Sequence, residues 1–138
     1  MSLTCTLEEL ENDAWGEPKY NSHVVTECHR IRQIRLCELT DEDLRLAIGQ
    51  QMGLPYLLPI AIQRLHADPL ASGDFFEGDL FLNLLRVPDH AWAATPGLRK
   101  ELLTIADQIF VESTVLDTSW HETCEPAIRS AYIRFKGS

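Results

Sequence analysis

Apolar residues recur at helical spacing along almost the whole chain. Leu98, Leu102, Ile105, Ala106 and Ile109 form the clearest stripe, behind Thr95-Pro96, an N-cap followed by proline at the first helical position. Ala127, Ile128, Ala131, Tyr132 and Phe135 repeat the period near the C-terminus. Ser119 to Glu122 resembles a capping box ahead of them, and Pro126 marks a kink or a later start. Near the N-terminus, Thr6-Leu-Glu-Glu9 is a capping box leading into Leu7, Leu10 and Ala14, and the helix stops before Gly16-Glu17-Pro18. A second helix starts near Asn21 or Ser22 and buries Val24, Cys28 and Ile31.

The middle of the chain is the best punctuated. Thr40 caps a third helix whose first turn carries Asp41, Glu42 and Asp43, where the helix dipole favours negative charge. Leu39 and Leu44 stand where a hydrophobic staple places them, Leu44, Ala47 and Ile48 make the stripe, and Gly53 is the expected left-handed C-cap. Pro55 or Pro59 opens a fourth helix, apolar around much of its circumference and therefore central; Asp68-Pro69 ends it. A short fifth helix runs through Leu80, Leu84 and Leu85 to about Val87. Ile34–Leu39 and Phe110–Leu116 are candidates for brief extended pieces, but neither has a hairpin partner. The pattern predicts an all-α, single-domain bundle of about six or seven helices over residues 1–138.

Composition agrees with one ordinary globular domain of 138 residues, 45% hydrophobic and 24% charged. Twenty-one acids against 12 bases give a formal charge of −9. Such a surface disfavours direct nucleic-acid binding and favours a basic partner. The start of the chain has no basic region leading into an apolar one, and no apolar run approaches the ~20 residues of a membrane span. These features predict a cytoplasmic protein with no membrane partner and with Cys5, Cys28, Cys37 and Cys124 reduced.

Candidate chemistry is sparse. Cys28-His29, Cys37, His121 and Cys124 are possible ligands, but only His121 and Cys124 form a tight pair, where zinc sites show two. The ordinary reading is that Cys28 and Cys124 are small buried apolar residues. His29 follows Cys28 directly, and adjacent residues on a helix point apart, so they form no nucleophile–base pair. No nucleophile elbow, phosphate loop or calcium loop occurs. Arg30, Arg32 and Arg35 form the one basic cluster, expected to balance acids such as Glu27 and Glu38. No Lys or Arg lies between Arg64 and Arg86, and this interval holds Asp68, Asp74, Phe75, Phe76, Glu77 and Asp79. It reads either as a solvated loop entering a helix or as a docking patch, since aromatics beside uncompensated acids suit a Lys- or Arg-rich partner.

Several separated motifs resemble a known family. They are Leu7-Glu-Glu-Leu-Glu11, Trp15-Gly-Glu-Pro18, Leu39-Thr-Asp-Glu-Asp-Leu-Arg-Leu46, Ile48-Gly-Gln50, Gly53-Leu-Pro55, and Gly73-Asp-Phe75 through Gly78-Asp79. In this order they resemble the immunity proteins of contact-dependent growth inhibition (CDI) systems, the CdiI type, from Leu7 to about Val87. The resemblance implies a small cytosolic inhibitor that binds the C-terminal toxin domain of an exported protein, often a nuclease. It implies no enzymatic activity, catalytic residue or cofactor. Trp15, Gly53 and Pro55 are then assigned to architecture. The resemblance carries over no interface residue; charge instead assigns Asp68, Asp74, Glu77 and Asp79 to toxin binding, with Phe75 or Phe76 as an apolar anchor. The competing readings are a small helical metalloprotein or enzyme using His121, Cys124 and Cys28, and a general adaptor for host proteins.

Overall fold

The computed structural model describes residues 3–16, 22–76, 78–112 and 125–137. Among them are eight α-helices and no strand: α1 (Leu7–Glu11), α2 (His23–Arg32), α3 (Asp41–Gly49), α4 (Leu54–Ala67), α5 (Asp79–Leu85), α6 (Asp89–Ala93), α7 (Pro96–Glu112) and α8 (Glu125–Lys136). The all-α reading holds.

Helix α4 is the axis. It buries Leu57, Leu58, Ile60, Ala61, Ile62 and Leu65 and packs against α3, α5 and α7. Helix α3 also packs on α5 and α2, and α5 also on α8. One continuous apolar cluster runs from Leu7 to Phe135. From α6 it takes Trp92, whose ring meets Phe135 edge-on at 6.1 Å between centroids.

Two of the expected N-terminal caps are present, whereas the Thr95 hydroxyl finds no partner among the described residues and only its carbonyl opens α7, accepting from the Leu98 and Arg99 amides. The Thr6 hydroxyl accepts from the Glu9 amide and the Glu9 carboxylate accepts from the Thr6 amide; Thr40 and Asp43 do the same for α3. Leu39 and Leu44 are both buried, as a staple requires.

Several local expectations are corrected. Helix α1 stops at Glu11, because Asn12 turns left-handed (φ 51°) and its amide turns back to the last carbonyls. Val24 is exposed, and Arg32 joins Cys28 and Ile31 on the buried face of α2. Leu36–Glu38 is a 3-10 turn rather than an extended piece. Phe110 lies inside α7, and 113–116 fall outside the described residues. Gly53 does not end α3. That helix closes at Gly49, Gln51 takes the left-handed turn (φ 58°), and Gly53 (φ 63°) sits directly ahead of α4. A Cβ on Gly53 would stand 2.8 Å from Leu7 Cδ2, so the missing side chain lets α1 dock against this corner. Pro55 is the second residue of α4, while Pro59 lies within it and cannot donate to the Pro55 carbonyl. Pro126 is in the first turn of α8, where proline is tolerated. The Ser119–Glu122 capping box lies outside the described residues.

The N-terminal strap is tied by backbone bonds: the Leu36 amide donates to the Cys5 carbonyl and the Cys37 amide to the Leu3 carbonyl, both at 2.9 Å.

Candidate functional site

The interval between α4 and α5 is shaped by two carboxylates. Asp79 opens α5 and is 3% exposed. Its Oδ1 accepts from the Gly73 amide at 2.7 Å, and its Oδ2 from the amides of Phe75 (3.1 Å) and Phe76 (3.4 Å). The amide between these, that of Asp74, donates to Glu42 Oε1 on α3 at 2.9 Å. The consecutive amides of residues 73–76 therefore all end on carboxylates. A Cβ at Gly73 would lie 2.5 Å from Glu42 Oε1, so a side chain there would displace the Glu42 carboxylate from the Asp74 amide.

Arg45 ties the two carboxylates together. Its Nε and NH2 grip Glu42 at 2.6 and 2.7 Å, and its Nε lies 3.9 Å from Asp79. Its guanidinium sits 4.2 Å from the centre of the Phe75 ring. Phe75 is 70% exposed yet braced against this cation. The Arg45 guanidinium holds the Glu42 carboxyl below its ordinary range; burial opposes this, and the Asp74 amide adds to the lowering.

The expected binding residues thus divide. Asp68, Asp74 and Phe75 are exposed. Asp68 closes α4 and accepts from the Leu70 amide at 3.2 Å. Phe76 is half-buried against the core, Asp79 faces inward, and Glu77 lies outside the described residues. The patch is less negative than the sequence suggests. One acid is internal, and Arg45, distant in sequence, supplies a positive charge. Neither Glu42 nor Arg45 carries a sequence signal linking it to a loop some thirty residues downstream. The same correction applies nearby, where Arg64 bonds Asp41 at 2.8 Å and the Leu39 carbonyl at 2.6 Å.

The basic cluster pairs off as expected and reaches further. Arg30 bridges Glu27 and Asp43, and Arg35 stands 4.0 Å from Glu38. Arg32 is buried and pairs with Glu11.

The metal and nucleophile candidates gain little support. His121 and Cys124 lie outside the described residues. Among the described residues, no three His, Cys, Asp or Glu side chains gather closely enough to hold a metal ion. Burial pushes the Cys28 thiol up, and Glu27 pushes it further, the direction that disfavours a reactive thiolate. Among the described residues no helix is long and apolar enough to cross a membrane.

Comparison with known proteins adds one decisive result. No curated protein and no solved structure matches the chain. The sequence profile of the CDI immunity proteins matches residues 9–102, and, with more than half of its 138 residues covered, the chain belongs to that family.

Proposed function

We propose that this immunity protein works purely by binding: it docks on the toxin domain of its cognate CDI system, a basic nuclease, in the cytoplasm and occludes it. Family membership over residues 9–102 carries this reading. The net charge of −9 supports a basic partner, because opposite fields speed encounter. Within the proposed contact set, Asp68 and Asp74 present charge and Phe75 is the apolar anchor. Phe76 and Asp79 hold the loop from within, and Glu77 is included for its charge. The 73–76 amides are already fixed by Glu42 and Asp79, so little ordering entropy is lost on docking.

The test is binding of the full chain to the toxin domain encoded beside its gene, measured across ionic strengths. The on-rate is expected to fall steeply with salt while the off-rate changes little. Asp74→Lys should slow association about 3- to 10-fold. A salt-independent on-rate overturns electrostatic steering, and absence of any complex at micromolar concentration overturns the binding reading itself.

A further inference from the structure

A stable protein–protein contact removes about 800 Å² from each partner, and the exposed side chains of one short loop cover only part of that. We infer that the shelf around Trp15 is a second toxin-docking surface, and that it receives an extended, basic segment of the toxin with a cationic side chain laid along the indole. This inference rests on the immunity reading above.

Trp15 is 42% exposed, but it is held like a core residue. The Arg32 guanidinium lies 4.3 Å from the centre of its ring, and His29 meets it edge-on at 5.0 Å. Its indole N–H donates to Asp13 at 3.3 Å and its backbone amide to Glu8 at 3.4 Å. The platform beneath is itself pinned: Arg32 is 2% exposed, pairs with Glu11 and donates to the Asp13 carbonyl. His29 Nδ1–H donates to the Gly16 carbonyl at 3.1 Å. An exposed aromatic with its rotamer fixed in advance has the properties of a binding hot spot, because its apolar area is offered at low entropic cost.

Two clefts share Trp15, Gln50 and Met52 as walls. One, of about 440 Å³, is lined by Glu11, Asp13 and the amide side chains of Gln50 and Gln51. The other, of about 210 Å³, is lined by Val24, Val25 and Cys28. A polar and an apolar recess on a common aromatic wall suit an extended chain, whose successive side chains point opposite ways. Charge selects the sign of the occupant. Glu11 and Asp13 line the polar cleft with Trp15, and Glu8 holds its backbone amide. Among the described residues of this cleft Arg32 is the one cation, already matched by Glu11. A lysine or arginine can rest its aliphatic stem on Trp15 and reach the Asp13 carboxylate with its head.

The experiment measures the lifetime of the complex between the full chain and the neighbouring toxin domain, made catalytically inactive. The variants are Trp15→Ala, Trp15→Phe and Val24→Lys, with thermal unfolding to verify their fold. Val24 is 37% exposed, so a lysine there leaves the core intact while closing the apolar cleft to a basic chain. The expected result is a lifetime shortened about 30-fold or more by Trp15→Ala and by Val24→Lys, with Trp15→Phe closer to wild type. On-rates should change far less than in Asp74→Lys. In the wild-type complex, fluorine NMR of fluorotryptophan-labelled protein should show the Trp15 resonance losing its solvent isotope shift. If wild type binds while both disruptive variants keep lifetimes within about 2-fold of it, the shelf is not an interface and the immunity reading stands. If wild type does not bind, both fall together.

Discussion

Asp79 shows how one carboxylate can organise a surface without belonging to it. It is 3% exposed and accepts from three backbone amides, so removing it leaves three partly buried donors unmatched. Asp79→Ala should destabilise the protein by about 3 kcal/mol in urea unfolding, and hydrogen exchange at residues 73, 75 and 76 should accelerate. Glu42 makes a pH-dependent contribution of known sign. Its carboxyl is held below the ordinary 4.5 by Arg45 and the Asp74 amide. The stability it contributes is full above that value and is lost as the pH falls through the lower folded-state value. The stability gap between wild type and Glu42→Gln should therefore be constant from pH 7 to about 5.5 and shrink below about 4.5. A gap that widens on acidification would contradict this assignment. Neither role is legible in the sequence. Asp79 reads there as one more surface acid, and only the fold shows that its neighbours' amides turn toward it. Trp15, assigned to architecture, is braced by Arg32 and His29 and still stands 42% exposed.

Elements were legible in proportion to their length and the sharpness of their ends. The stripe from Leu98 to Ile109 spans several turns, and α7 forms there. The Thr40 cap and the Leu39–Leu44 staple located α3 to the residue because local chemistry fixes that boundary without tertiary help. Thr40→Ala should cost about 1 kcal/mol, measured by chemical denaturation; a loss near zero would mean that packing alone sets the start of α3. Helix α6 and the Leu36–Glu38 turn escaped because five or three residues are too few to show a period, and packing imposes them. The corner between α3 and α4 was misread for a different reason. Gly53 does take the left-handed conformation expected of it, but Gln51 already makes the turn after α3, and glycine is needed at 53 because Leu7 stands there.

At the scale of the molecule, the family's matched segment is not a self-sufficient body. The match ends at residue 102, inside α7. Beyond it, Ile105, Ala106, Ile109, Ile128, Ala131 and Phe135 are all buried in the same cluster, and α8 packs on α5. A chain cut after residue 112 exposes the face that Phe135 and Ile128 cover, including Trp92. It should lose the cooperative thermal transition of the full protein. Circular dichroism and tryptophan emission should give one coincident transition for the whole chain, and a broad, non-coincident one for the truncated form.

The seating of Leu7 against Gly53 also sets an order of events during synthesis. Five residues of helix are too few to persist alone, so α1 waits for its partners. The strap at Leu3 and Cys5 waits for residues 36 and 37. At about 5–20 residues per second, the interval between making Leu7 and making Gly53 is roughly 2–9 s. Helix α1 is thus made before the residues it docks on, and is among the later elements to settle. Until then α1 and the strap are open to proteases, whatever the stability of the finished fold.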